Sequence, residues 1–262
     1  MVSSPSPPAS RRSRHVGPPL LALALISVAL FVASLVVGAT GGGPFPSPYD
    51  HARDVIAFFS AHSTTVQVAA TLQFASAVPL ALLSASLSSR LRYLGFARVP
   101  GVLIASTGGT LASGMLVVSA LAQWVLSRPG TATNSGVVRP LADLAFATGG
   151  PGAVVFLGLL IAGIAIPAAV GGLLPRPVWI AGVAFAAVAE LCTIALLSKP
   201  AGALLPIARF GSLAWLIAAA ALLPASRQRT NSRRAVSSDS SRDRERHELA
   251  SRRDPLQPDA KP

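Results

Sequence analysis

Leu20–Gly38 reads LLALALISVALFVASLVVG, nineteen residues without a charge. At about 1.5 Å of rise per residue, a helix of that length comes close to the ~30 Å of hydrocarbon in a bilayer. The run is longer than the roughly 7 to 15 apolar residues of a cleavable signal peptide, so an uncleaved signal anchor is the better reading. Similar charge-poor stretches recur along the chain and predict spans at 20–38, 66–87, 100–126, 153–174, 178–198 and 205–223. The fold class that follows is all-α: a polytopic transmembrane helix bundle of about six spans, occupying residues 18–225.

Composition agrees with that reading. Only 12% of the residues are charged and 52% are hydrophobic, far from the roughly 25% charged content of soluble domains. Aromatics make up 6%, and an apolar stock of Ala, Leu and Val lets helices approach closely. A net charge of +12 on a soluble protein would suggest a nucleic-acid-binding face. Here the basic residues flank the apolar runs instead, so the expected partner is the lipid bilayer and not nucleic acid. Only two of the 22 basic residues are Lys, a coding bias pointing to a GC-rich bacterial genome. The lone cysteine, Cys192, rules out an intramolecular disulfide and a thiolate metal cluster.

The connections carry turn and interface signals. Gly41-Gly42-Gly43-Pro44 breaks the first helix, and Ser47-Pro48 offers a cap with proline at the first helical position. Val55, Ile56, Phe58 and Phe59 set against Asp50, His51, Arg53 and Asp54 predict an amphipathic segment over 48–61, lying in the outer interface. Pro79 is expected to kink the second span. Pro140–Phe146 reads as a brief interfacial turn, because Gly149-Gly150-Pro151-Gly152 should interrupt any helix before the fourth span. Residues 1–17 and 226–262 have too little apolar content to form a core and are expected to be disordered, with both termini cytoplasmic.

That orientation comes from counting charge. Arg11, Arg12, Arg14, Arg90, Arg92, Arg98, Arg176, Arg227, Arg229, Arg233 and Arg234 then lie inside, against Arg53, Arg128, Arg139, Lys199 and Arg209 outside. The cluster Arg227, Arg229, Arg233 and Arg234 is also the candidate for contact with anionic lipid headgroups, at about 1 kcal/mol per side chain. Other membrane proteins are the remaining partner class.

Two charges fall well inside predicted spans, Glu190 and Arg209. Each stands about 21 to 22 Å from the inner end of its helix, and the two helices are consecutive and antiparallel, so an ion pair at matching depth is expected. Gly182, Ala186 and Glu190 share a helical face, which predicts a carboxylate directed into the bundle. The pair reads either as a proton or substrate site or as a structural lock on helix register. Gly101, Ala105, Gly109 and Ser113 recur every four residues, the small-residue spacing of close helix packing. The Gly149–Gly152 break could turn helix amides toward an anion, or be a plain loop. His51 and His62 stand roughly 16 Å apart on one helix, too far to share a metal. No metal, cofactor or catalytic motif is read from the sequence.

Leu144–Gly152 (LAFATGGPG), Leu174-Pro175-Arg176, Ala189-Glu190-Leu191 and Leu205–Gly211 (LPIARFG) with Trp215 resemble an uncharacterised family of bacterial six-span membrane proteins, grouped under a domain of unknown function. The resemblance covers residues 18–225 and implies the fold and a plasma-membrane location, without a substrate or reaction. The expected function is that of a non-catalytic membrane protein that binds partners or lipid. The alternative is a small-solute or proton-coupled transporter using Glu190 and Arg209.

Overall fold

The computed structural model describes residues 18–224 apart from Pro44 and Thr133. The two tails, and with them Arg227, Arg229, Arg233 and Arg234, lie outside the described residues. Nine α-helices are present among those described: α1 Leu20–Thr40, α2 Ala52–Ala61, α3 Ser63–Leu91, α4 Pro100–Leu126, α5 Pro129–Ala132, α6 Ser135–Ala147, α7 Ala153–Val170, α8 Arg176–Leu191 and α9 Leu204–Leu222. Six helical segments are long and apolar enough to cross a membrane: Leu20–Thr40, Ser63–Phe96, Pro100–Leu126, Gly136–Val170, Arg176–Leu196 and Lys199–Leu222.

The spans close into a ring. α1 packs on α3, α3 on α4, α4 on α7, α7 on α8 and α8 on α9, and the circle is completed by a lighter seam between α9 and α1. Small residues set these contacts, as close backbone approach requires in lipid. A Cβ on Gly163 would sit 2.6 Å from the Gly101 carbonyl oxygen and 2.7 Å from Ala105 Cα, so α4 and α7 touch backbone to backbone. Gly182 makes room for the indole of Trp215, which donates to the Val178 carbonyl at 2.7 Å. Inside the ring, Leu80, Leu83, Leu87, Leu160, Ile161, Ile164 and Leu216 are almost fully buried. The Gly101/Ala105/Gly109/Ser113 stripe is therefore used for packing: Gly101 meets Pro167 and Gly109 meets Ser84.

Two expectations about the connections are corrected. Residues 135–147 are not a brief turn but a 13-residue helix, started by the Asn134 side chain accepting from the Gly136 amide at 3.1 Å. This helix is joined to α7 through a single wide turn, Thr148–Gly152. Gly136–Val170 is 35 residues long, about 50 Å if straight, so the chain must bend, and it does so at Gly150 with φ −85° and ψ −105°. The break predicted at Gly149–Gly152 is real, but it redirects a helix instead of ending one.

The amphipathic segment also differs. Ser47 does not cap a helix; Asp50 accepts from the Ser47 amide at 2.7 Å, closing a tight turn, and α2 starts only at Ala52. Its apolar face does not lie against lipid: Val55 and Phe59 are buried on Val66, Leu126 and Val138. Together α2, α5, α6 and residues 45–51 form a cap over one end of the ring, called here the capped end.

Candidate functional site

The geometry expected of Glu190 and Arg209 is half right. Gly182 opposite Trp215, and Gly211 opposite Phe185, set the α8–α9 register, and Ala189 and Ala208 lie buried in one cluster at the same level. The depths match. The residues that follow each alanine, however, turn about 100° farther round their helices, and they turn apart. Glu190 emerges on the exposed flank of α8, with Oε1 beside Gly158 of α7. Arg209 turns the other way, beneath the cap. Neither forms an ion pair among the described residues, whose salt bridges are Arg139–Asp143 and Lys199–Asp50. The buried stripe of α8 is Gly182, Ala186 and Ala189; Glu190 sits just past its edge, so the carboxylate does not point into the bundle.

What holds Arg209 is the bend in the α6–α7 chain. Pro151 has no amide hydrogen and Gly150 leaves helical geometry, so carbonyls around the turn lose their usual partners. The Arg209 Nη2 donates to one of them, the Gly149 carbonyl. The guanidinium carbon lies 5.4 Å from the centre of the Phe31 ring on α1, a cation–π contact. Arg209 thereby ties α9 to α1 and to the bend. Its Nε and Nη1 make no hydrogen bond to the described residues.

A chain of buried polar groups runs beside it. The Ser27 hydroxyl donates to the Ser76 carbonyl at 2.9 Å, and the Ser76 hydroxyl to the Gln73 carbonyl at 2.7 Å. Gln73 Nε2 donates to the Leu116 carbonyl at 3.3 Å, while Gln123 Nε2 lies 3.1 Å from Gln73 Oε1 and 3.2 Å from Ser119 Oγ. The Ser119 hydroxyl donates to the Ala145 carbonyl at 2.8 Å. Four helices are joined by this chain, which satisfies its members as buried polar atoms require. Gly149 must lack a side chain here, since a Cβ would come within 2.9 Å of Ser119 Cβ.

These groups surround a cavity of about 380 Å³. Its polar wall is Arg209, Gln73, Gln123, Ser34, Ser47 and Ser119. Its apolar wall is dominated by Phe31, Phe45, Phe59, Phe146 and Phe210. Among the described residues, Arg209 is the one formal charge in the lining, and no carboxylate contributes to it. The volume falls within the range of small-molecule pockets, roughly 300 to 1,000 Å³. On the far side of Arg209 lies a second void of about 20 Å³, edged by Ser27 and Ser76 and otherwise apolar, room for about one water.

The cap is latched over the cavity. Arg139 of α6 donates from Nη1 to the Asp50 carbonyl at 2.8 Å and from Nη2 to the Pro48 carbonyl, while its Nε meets Asp143 at 3.0 Å. Tyr49 donates its hydroxyl to the Ala195 carbonyl at 3.1 Å. Phe45, Pro46 and Ser47, just before this latch, form part of the cavity wall.

Of the residues singled out in the sequence, Arg209 and Gly149–Gly150 come together at this site and Glu190 does not. The break presents a carbonyl to a cation, and not amides to an anion as one sequence reading had it. Gln73, Ser119, Gln123 and the phenylalanines were missed. Amide side chains inside predicted spans were a usable signal for the two glutamines; the phenylalanines carried none. Among the described residues no group of three or more His, Cys, Asp or Glu side chains is placed to hold a metal ion. No family model, curated protein or solved structure matches the chain.

Proposed function

We propose that this chain is a non-catalytic integral membrane protein of the bacterial plasma membrane, and that its work is the binding of a small anion in the cavity beneath the cap. One observation carries the reading: among the described residues, Arg209 has no carboxylate partner and lines a cavity with no other charge in its wall. A guanidinium has five N–H donors in a rigid fork suited to carboxylate or phosphate, and only one of them is engaged by Gly149. Apart from the anion, the neighbouring amides and hydroxyls offer a ligand donors and acceptors without adding charge. The positive-inside count puts the capped end on the outer face and both termini in the cytoplasm. Membership of the six-span family suggested by the 144–152 and 205–211 segments fits this reading, because both segments converge at the cavity.

Thermal unfolding of the purified chain in a neutral detergent tests it. A panel of alkyl carboxylates should raise Tm by several degrees, whereas alkylammonium ions of matching length should not. Arg209→Gln should abolish the carboxylate effect. Equal shifts with both signs of charge, or a full shift retained in the variant, would sink the reading.

A carrier for the same anion is the second reading. The serine-edged void beyond Arg209 favours it, because that void continues the cavity toward the opposite end. Arg209-dependent uptake into proteoliposomes of a labelled alkyl carboxylate that raises Tm would establish transport; binding without uptake would leave the binding reading in place. Neither reading assigns a role to Glu190, which is not among the residues lining the cavity.

A further inference from the structure

The cavity has two kinds of wall, and their placement says more about the ligand than its charge alone. Arg209, Gln73, Gln123 and Ser119 lie on the inner side, facing the α6–α7 bend. The opposite side is formed by α1 through Phe31, Ser34 and Leu35 and by α9 through Pro206 and Phe210. These are the two helices whose seam is the lightest in the ring. Phe210 lines the cavity and is 47% exposed. The α1–α9 seam, about two turns of α9 from the cap, is thus the most lightly packed part of the cavity wall and carries its exposed aromatic edge.

Resting on the anion-binding reading, we infer that the ligand is a single-chain anionic amphiphile drawn from the bilayer. Its carboxylate or phosphate reaches Arg209, and its hydrocarbon chain lies between Phe31, Leu35 and Phe210 and leaves through the α1–α9 seam. The charge pattern fits: a carboxylate-free lining with one guanidinium accepts one negative head. The wall fits as well, because five phenylalanines give apolar surface that a compact hydrophilic anion would leave in contact with nothing. A water-borne ion would have to pass under the latched 45–51 segment, whereas an amphiphile already in the leaflet meets the seam directly.

The test uses the full chain in nanodiscs of a zwitterionic phospholipid, with laurate carrying a spin label near the end of its chain as the probe. Saturable binding is expected, weakened at least tenfold in Arg209→Gln. Unlabelled laurate or dodecyl phosphate should compete, and butyrate or inorganic phosphate at the same concentration should not. Ala142→Leu adds bulk to the cavity wall from α6, leaving Arg209 itself unchanged, and should also remove binding while Tm is kept; this separates loss of the site from loss of the fold. If butyrate or phosphate competes as well as laurate, the amphiphile inference is overturned and anion binding stands. If the probe binds Arg209→Gln and Ala142→Leu as it binds the parent chain, both fall.

Discussion

A guanidinium taken into a helix bundle carries a large desolvation cost, and what offsets it at Arg209 is backbone instead of a counter-charge. The Gly149 carbonyl is available because the α6–α7 chain bends there, and the Phe31 ring supplies the other face. A hydrogen bond to a charged group contributes about 1.5–3 kcal/mol, so Arg209→Gln should lower stability in the absence of ligand by about that amount, read as a fall in the denaturant or SDS midpoint. Arg209→Lys keeps the charge but not the planar fork, and should recover less than half of the ligand-dependent gain in Tm. Glu190 makes the contrasting case. Exposed on α8 and outside the cavity, it should be replaceable by Gln with carboxylate binding unchanged; a tenfold loss of affinity in Glu190→Gln would show that the carboxylate acts at the site after all. Both residues were visible in the sequence as charges within spans, and their depth followed from rise per residue. Their separation did not. A 100° step per residue decides on which side of a helix contact a side chain emerges, and the contact line runs through Ala189 and Ala208, residues whose role only the packing of three helices reveals.

At the scale of the elements, glycine placement decides where the spans meet. Gly163 has backbone on the far side of its missing Cβ, whereas Gly114 on α4 has nothing within 4 Å. Gly163→Val should therefore cost about 1–3 kcal/mol or more through overpacking, while Gly114→Ala should be neutral or stabilise by about 0.4–1 kcal/mol through reduced freedom of the unfolded chain. Thermal melts of the two variants side by side check this; equal effects would mean that α4 and α7 are not in backbone contact. The small-residue stripe on α4 was readable because its period matches the helix. The length of α6 was not, because Pro140 and the Gly-rich run look like breakers while neighbours decide whether a helix resumes beyond them. Apolar packing holds α2 and α6 of the cap, while residues 45–51 are tied down by hydrogen bonds from Arg139 and Tyr49. Arg139 is partly exposed, so its pair with Asp143 contributes little, but its bonds to Pro48 and Asp50 fix residues 45–51. Arg139→Ala should speed hydrogen exchange at the Ser47 and Asp50 amides at least tenfold with Tm changed by no more than a few degrees; unchanged exchange would place the latch elsewhere, with Tyr49 as the next residue to remove.

For the whole molecule, six spans would leave residues 18 and 224 on one side of the membrane, and the distribution of arginine is what the proposed orientation rests on. Arg90, Arg92, Arg98 and Arg176 gather at the end opposite the cap, and a cytoplasmic excess of Lys and Arg near span ends is what sets orientation in membrane proteins generally. The orientation matters to the proposed chemistry because it decides which leaflet the α1–α9 seam faces: with the cap outside, as proposed, the ligand would come from the outer leaflet. Cys192 is the only cysteine and is fully buried, so the native chain gives a low background for site-directed labelling without further engineering. Gly130→Cys and Gly202→Cys place thiols at the capped end where an added side chain meets nothing within 4 Å, and Ala97→Cys places one on the exposed turn at the other end. In intact cells a membrane-impermeant maleimide should modify the first two and spare the third, which should react only after the membrane is opened. The reverse pattern would invert the topology and move the amphiphile's source to the inner leaflet, while labelling of all three in intact cells would mean that residues 100–126 do not cross the membrane at all.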